Sequence, residues 1–550
     1  MTDYPWYKSY DPGVPRSLEP YPGKTIMDYI TEAKNERPGY PMLIFQDTEI
    51  SYQQVESESD AMAVALADMG VKKGDRVAVL FLNCPQEYII FFAAWKLGAI
   101  VVPLNPLYTE FELESRLNDI TAGVVVVLNL WYQMARRLQQ RTSIRKIICT
   151  EFDDYTTPNK EKPGTAIEPG DHWWLDLTRK YAAKKPPKVE VKPEDTAMIL
   201  FSGGTTGTPK GVMESHHSLV ITGLQVAAWF DAVSIGWDEK FLVPLPLFHA
   251  FGIYASFGMA LVQRNISVLI ANPRDIKGMV ETIKKHRITN MGAAPTMFIS
   301  LLEYPELKMG DLKSIRMATS GAAPLMYETR KAFEEHISGR VAEGYALTES
   351  GMAMLTTPAL GKWKEGSIGL PLPDTIIRIV DIDTGTRDVK SGEAGEIIMK
   401  APQLMQGYWN RPRETKEILR DGWLYTGDIG YMDDDGYVFL TSRKKDVIKC
   451  GGFQVWPREV EEILMTHPAV AEVCVGGIPD ARQMEAVKAW VVLKEGRQVT
   501  AEELQKFCRE KLTGYKVPRH FEFRKDLPKT FVGKVLRRIL QDEEKAKQKK

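Results

Sequence analysis

Residues 75–106 read DRVAVLFLNCPQEYIIFFAAWKLGAIVVPLNP. A short apolar run gives way to a turn, then to a helix-length segment, then to a second apolar run that ends in proline. That order is the punctuation of a βαβ unit, whose two strands lie parallel. The rhythm returns in AGVVVVLN, RKIICT, TAMILFSGG, NISVLIANP, ITNMGAAP and SIRMATSGAAP. Strand ends of this kind are where doubly wound α/β sheets hold ligands. From about Gly366 the texture changes to IIRIVD, GEIIMK, GYWN and GYVFL, with closely spaced turn residues that predict a small antiparallel β subdomain. A charged joint, SRKKDVIK at 442–449, precedes the amphipathic PREVEEILMTH and the alternating runs AEVCVGGI and VKAWVVLK. The expected architecture is α/β. A large N-terminal domain, 1–443, carries doubly wound mixed or parallel sheets and a small β-barrel-like subdomain, and a small mobile α+β C-terminal domain spans 444–550.

Composition removes several classes of function. At 550 residues, with 44% hydrophobic and 26% charged side chains, the chain can bury a large core, and a sizeable enzyme is the default. Lys plus Arg number 71 against 72 Asp plus Glu, so there is no basic excess to hold a phosphate backbone, and no nucleic-acid partner is expected. The five cysteines are scattered without a CxxC pair, which fits a reducing, cytoplasmic setting and argues against zinc or a redox dithiol. The N-terminus lacks the basic-then-apolar order of a secretory signal, so no export is expected. The most apolar stretch, at 89–102, contains Lys96 and falls short of the roughly 20 residues a spanning helix needs, so no transmembrane segment is expected.

The strongest local signal is ILFSGGTTGTPKGV, a strand running into a loop between Ser202 and Gly211. Its glycines, threonines and lysine offer backbone N–H groups, hydroxyls and a cation, the parts of a polyphosphate cradle. It is not the GxxxxGK[ST] loop, because Pro209 separates Thr208 from Lys210. The pair His216 and His217 has no metal-site context and reads as a surface or helix-start pair. No GxSxG occurs, which weakens a serine-hydrolase reading.

With four further motifs in the same order, EGYALTES at Glu343, YTGDIG at Tyr425, SRKKDVIKCGGFQVWPREVEE at Ser442 and LPKTFVGKVLRR at Leu527, the chain resembles the adenylate-forming superfamily of acyl-CoA synthetases, luciferases and adenylation domains. The text PLPLFHAFG, LIANPRDI, SIGLPLP, GYWNRP and LTGYKVP looks like bacterial long-chain fatty acid CoA ligases. The resemblance implies a two-step reaction. A carboxylate and ATP give acyl-AMP and pyrophosphate, then CoA gives acyl-CoA and AMP, with ATP, Mg²⁺ and CoA as the small molecules besides the acid. Cationic side chains and Mg²⁺ must then offset the charge that builds as anions meet at the α-phosphorus.

The same resemblance assigns roles. Ser202, Gly203, Gly204, Thr205, Thr206 and Lys210 would hold the β- and γ-phosphates, Thr348 the α-phosphate, and Glu349 the Mg²⁺. Glu349 read alone is also an ordinary helix-cap carboxylate. Asp428 would accept the two ribose hydroxyls with help from Arg443, where a bare Gly-Asp is a turn residue. The adenine slot would comprise Gly321, Ala322 and Ala323 with Glu343, Gly344 and Tyr345, the tyrosine stacking on the base. His249 would gate or orient the carboxylate between nucleotide and acid, or serve as a structural histidine. Lys534 would be the adenylation lysine, Lys445 the hinge, Lys449 and Gln454 neighbours of the nucleotide, and Gly451 and Gly452 the lining of the CoA path. The acid would lie along Phe251, Tyr254, Gly344 and Ala346. Long-chain relatives usually read GYGLTE where this chain reads GYALTE, and acetate-activating relatives carry Trp at that step. The alternatives left by the motifs are an aromatic or alicyclic acid CoA ligase, a luciferase-like oxidase, a carrier-protein ligase and a non-catalytic sensor. Expected besides are a homodimer and peripheral contact with the inner face of a membrane.

Overall fold

The computed structural model describes residues 3–157, 159–202, 209–351, 354–450, 453–480, 484–530 and 533–548, apart from the side chains of Gln454 and Gln548. The βαβ reading of residues 75–106 holds. Strand Arg76–Leu80 leads through helix Pro85–Lys96 to strand Ile100–Pro103, and the strands pair in parallel from Arg76 opposite Ile100 to Val79 opposite Pro103. Cys84 caps the helix and Pro85 opens it, a position where proline's missing N–H costs nothing.

Every residue of that helix from Pro85 to Trp95 is buried, because it lies between two sheets rather than on one. One apolar cluster takes Val77, Val101 and Val126 from the first sheet, Phe45, Val243 and Leu269 from the second, and Ile89, Phe92 and Trp95 from the helix. A helix that is apolar all round can be satisfied only in such a middle layer. The first sheet runs in the order Gly407–Tyr408, Gly211–Ser215, Thr196–Phe201, Ile100–Pro103, Arg76–Leu80, Val124–Leu128, Lys146–Thr150, His172–Trp173. The second has a parallel portion, Arg340–Tyr345, Met317–Ser320, Asn290–Ala293, Lys240–Val243, Ile266–Leu269, Pro41–Phe45. It continues through Leu355–Thr356 and Ser367–Pro371 into the antiparallel strands Val438–Arg443, Trp423–Met432, Gly395–Lys400 and Ile376–Val380. The expected β subdomain is therefore welded to the second sheet.

One expected member is elsewhere. The GYWN strand, Gly407–Tyr408, pairs with Val212 and Met213 at the edge of the first sheet. Its two residues follow the local β pattern, and Trp409 extends the pairing, its backbone N–H donating to Gly211 O at 2.7 Å and its indole N–H to Asp119 O at 3.1 Å. A third sheet, Phe453–Val455, Ile448–Cys450, Met484–Leu493, Val470–Asp480, with His520–Arg524 parallel to Met484–Leu493, forms the C-terminal part around its own apolar cluster. Among the described residues no helix is long and apolar enough to cross a membrane.

His216 opens helix His216–Trp229 as a helix-start residue, yet it is fully buried, edge-on to Trp95 at 5.5 Å. Burial pushes its imidazole down to about 4, so it sits uncharged in the core. The same helix meets the π-helical turn Tyr254–Ala260 backbone to backbone at Gly223, where an added Cβ would lie 2.6 Å from Gly258 O. Gly223→Ala is expected to lower unfolding free energy by about 1–3 kcal/mol, since carbonyl and chain must move apart. Gly39→Ala, with open space around it, should change little. Denaturant melts of the two variants compare them, and equal midpoints would show that the helices are not in close contact.

Candidate active site

The chain places a cavity of about 860 Å³ where the parallel strands end. Phe201, Thr319, Gly344 and Tyr345 line it, from the C-terminal ends of strands in both sheets, as the doubly wound rule expects. The two sheets are clasped beside it by one buried side chain. Asn83, in the turn after Arg76–Leu80, donates to Val243 O and Leu245 O at 3.0 and 2.9 Å and accepts from Leu247 N at 3.1 Å. That uses its amide fully and fixes the segment leading to His249.

His249 lines the cavity at the start of helix Ala250–Ile253, its Nδ1 accepting from Phe251 N at 3.2 Å. Burial, reinforced by the Lys534 ammonium, pushes the ring down to about 4. It is therefore neutral at ordinary pH, with Nδ1 as acceptor and the proton on Nε2. The Phe251 ring fills the space that two glycines leave. An added Cβ on Gly321 would lie 2.9 Å from it, and one on Gly292 3.4 Å.

Asp428 and Arg443 are register partners on neighbouring antiparallel strands, with Arg443 Nε 3.0 Å from Asp428 Oδ1. Tyr345 donates its hydroxyl to Asp428 Oδ2 at 2.5 Å. Burial and this carboxylate hold the Tyr345 phenol protonated, well above its ordinary range. Asp428 is 1% exposed and lies behind the cavity wall that Tyr345 and Arg443 form. Glu343 is likewise outside the lining. Its Oε2 accepts from Leu325 N at 3.4 Å, and burial lifts the carboxyl to about 6. Of the expected adenine slot, Gly321, Ala322, Gly344 and Tyr345 line the cavity and Ala323 does not. Ala322 adopts a left-handed φ of +69°.

Ser202 and Lys210 tie the base of the loop, Ser202 N donating to Lys210 O at 3.0 Å, and both line the cavity. Gly203, Gly204, Thr205 and Thr206 lie outside the described residues, as do Gly451, Gly452 and the side chain of Gln454. Lys449 is exposed and does not line the cavity. Strand alternation turns Ile448 and Cys450 into the C-terminal core and Lys449 outward, opposite Gln454.

Glu349 does not act as a helix cap. Its Oε1 accepts from the Tyr408 hydroxyl at 2.8 Å, while Ser350 Oγ bonds Leu347 N. Tyr408 also places its ring 4.7 Å from Lys210 Nζ. This tyrosine was not singled out from the sequence, although it sits in the quoted GYWNRP block. Its role follows from the edge pairing that brings Gly407–Tyr408 beside Val212. A magnesium ion takes one or two carboxylates beside phosphate oxygens, and Thr348 and Glu349 at the wall fit such a donor set. By contrast, the acidic trio Glu151, Asp153 and Asp154 already holds the Lys160 ammonium.

Lys534 reaches the cavity from the C-terminal part. Thr530 N donates to Lys534 O at 2.8 Å, Lys534 N donates to Thr530 Oγ1 at 3.1 Å, and the turn docks on helix Pro295–Leu302 through Gly533. Gly533 has φ +81°, and a Cβ there would lie 2.8 Å from Thr296 Cγ2, so only glycine allows the approach. Burial first, then Arg443, pushes Lys534 down to about 8. Lys445 also lines the cavity and is lowered by burial and by Arg443.

Apolar stretches of the wall come from Val226, Phe230, Phe241, Ala346 and Met259, with the Tyr254 ring beside them. Thr222, Val226 and Phe230 recur at four-residue steps along and just past helix His216–Trp229. That stripe was legible as one helix face but carried no sign of which cavity it borders.

The AMP-binding enzyme family matches residues 30–409 and the AMP-binding enzyme C-terminal domain matches residues 459–534. A long-chain-fatty-acid–CoA ligase of Bacillus subtilis (strain 168) is 39% identical over 552 residues, 98% of each chain. The anthranilate CoA ligase AuaEII in complex with anthranoyl-AMP matches with TM-score 0.86 at 27% identity, over 96% of this chain and 99% of that one. O-succinylbenzoate coenzyme A synthetase (MenE) from Bacillus subtilis, in complex with ATP and a magnesium ion, matches with TM-score 0.78 at 27% identity, over 94% and 99%. The chain belongs to the AMP-binding enzyme family, the adenylate-forming acyl-CoA synthetases.

Proposed function

We propose that the protein is an ATP-dependent CoA ligase for medium- or long-chain fatty acids. The observation that carries this reading is one chamber with cationic walls, Lys210, Arg443 and Lys534, continuous with apolar walls, Val226, Phe230, Phe241 and Met259. A triphosphate suits the first set and an aliphatic tail the second. In the first half-reaction a carboxylate oxygen attacks the α-phosphorus and pyrophosphate leaves. Lys210 binds the outer phosphates, Thr348 the α-phosphate, and Lys534 the oxygens where charge builds. Glu349 would hold a magnesium ion, which would supply further charge neutralisation. Asp428 is the ribose acceptor, reached once Tyr345 and Arg443, which bond its two oxygens and cover it here, shift aside. Neutral His249 donates from Nε2 toward the carboxylate side. In the second half-reaction the CoA thiol attacks the acyl carbon and AMP leaves. The domains are 1–443 and 444–550, and Lys445 is the pivot that withdraws Lys534 between steps. Gln454 keeps its proposed place near the nucleotide before rotation and Gly451 and Gly452 theirs on the CoA path after it, whereas Lys449, expected beside the nucleotide before rotation, faces away from the cavity.

An aromatic or alicyclic acid is the second reading, because the AuaEII neighbour carries an anthranoyl adenylate. Pyrophosphate release over a panel of fatty, aromatic and alicyclic acids, with and without CoA, separates the two. Fatty acids should give kcat/KM rising about fourfold per methylene until the chamber is full, from roughly 0.8 kcal/mol per buried CH₂. In Ala346→Trp the rise should stop early, with long acids lost and acetate or propionate retained. A uniform loss over the series would instead make Ala346 a support of the nucleotide site.

The Lys534 ammonium is present below pH 8 and lost as pH rises through its depressed value of about 8. The kcat/KM for adenylation, which reports the free enzyme, should therefore fall on the basic side near pH 8. Bound phosphates should move the limb of kcat upward. Lys534→Arg should abolish the limb, and Lys534→Ala should cost adenylation on the order of 10²–10³ while sparing thioester formation from supplied acyl-AMP. A limb unchanged by Lys534→Arg would assign it to another group, such as the buried Glu214, which is raised to about 8.

Lys445→Pro should slow the thioester step more than adenylation, since proline fixes φ at the pivot. Both half-reactions measured separately decide this, and unchanged turnover would place the pivot elsewhere.

A further inference from the structure

The segment 4–21 has no part in the nucleotide chemistry, yet it is bound to the apolar side of the cavity. Val226, Phe230 and Leu372 line the cavity and also pack in the cluster that Trp6, Trp229 and Tyr437 bury. Tyr4, Tyr7, Tyr10 and Val14 complete that cluster from the outside. Tyr10 stands edge-on to Trp229 at 5.0 Å and donates its hydroxyl to Pro371 O at 2.6 Å, one residue before the lining Leu372. The rings thus form a second layer directly behind the cavity wall.

Two aspartates hold the segment in place. Asp11 accepts from Leu360 N at 2.9 Å. Asp374 accepts from Leu18 N at 2.8 Å and from the Tyr21 hydroxyl at 2.6 Å, and it does so from a left-handed φ of +60°. Lys8 and Ser9 add contacts to Asp435, at 3.2 Å to its carboxylate and 2.9 Å to its carbonyl. A strap pinned at both ends by side-chain anchors, with an aromatic stack between them, can press on a wall without belonging to either sheet.

We infer that segment 4–21 is the end stop of the acyl chamber, with Tyr10 and Trp229 backing Phe230 and Leu372 and so fixing the longest acid that fits. The inference rests on reading the apolar walls as the acyl site. An aliphatic chain entering beside His249 runs along the Thr222, Val226 and Phe230 stripe and meets this aromatic layer. Removing Tyr10's ring leaves Trp229 and Phe230 free to yield outward, and the chamber gains length where the chain ends.

The experiment is a saturated fatty acid series from C6 to C20, read as kcat/KM for acyl-AMP formation, on wild type, Tyr10→Ala and Asp374→Gly. Asp374→Gly keeps every ring, accepts the left-handed backbone and removes the two bonds that hold Leu18 and Tyr21, so it loosens the strap by a second route if Tyr10→Ala does not fold. The expected result is an unchanged rate on the shortest acids, an unchanged KM for ATP, and a break point moved to longer chains, with about fourfold gained per added methylene beyond the wild-type break. An unmoved break point, or a loss equal for every acid, overturns the inference. Ala346→Trp run beside them separates the two levels. If it shortens the profile while the strap variants leave the break unmoved, the acyl site stands and the end stop falls. If it lowers every acid equally, the placement of the acyl site fails first.

Discussion

Helix Pro85–Lys96 lies between two mixed sheets, and the rest of the cavity depends on that burial. It has no polar face to give to solvent, so each sheet must bring an apolar face to it, and the strand ends of both sheets then converge on one side. Asn83, one turn before the helix, converts this non-directional packing into a fixed register. Its three bonds to residues 243–247 tie a turn of the first sheet to a strand end of the second. A hydrophobic sandwich alone tolerates sliding by fractions of an ångström. A buried amide with both donor hydrogens and its acceptor engaged does not, because a slip would leave polar atoms unpaired in the core.

The electrostatics of the chamber follow from what that frame excludes. Lys210, Arg443, Lys445 and Lys534 face one cavity, against Glu349, Glu414 and the recessed Asp428. Burial first, then the Arg443 guanidinium, lowers Lys534 to about 8 and lowers Lys445 as well, while Asp428 raises Arg443 itself. A polyanion entering beside these cations would offset their mutual repulsion. His249 shows the complementary effect, kept neutral by burial and by Lys534. Tyr408 links the two kinds of group, giving its hydroxyl to Glu349 and its ring face to Lys210.

Periodicity and turn chemistry alone determined the elements: parallel βαβ units, the antiparallel region after Gly366, and an α+β C-terminal part. Those signals are local, since a period of two or of 3.6 and a closing Gly or Pro depend only on neighbours in the chain. Ordered motifs likewise marked Lys210, Thr348, Glu349, Arg443 and Lys534, and the fold brings all of these to one cavity. Tertiary structure alone decided partners and sides. Gly407–Tyr408 reads as one more short strand, but it pairs across nearly two hundred residues with Gly211–Ser215, and only that pairing makes Tyr408 a neighbour of Glu349. Lys449 carries the right charge in the right motif, yet strand alternation turns it away from the cavity. His216 reads as a surface or helix-start residue; it does start a helix, but it is buried, because that helix packs against Trp95 of the middle layer. The less polar walls of the cavity come from Thr222, Val226, Phe230, Phe241 and Met259, residues whose identity says nothing until packing sets them around the same space. Charge and conformation are encoded residue by residue. Proximity is encoded in the sum of many weak apolar contacts, which no single stretch of sequence contains.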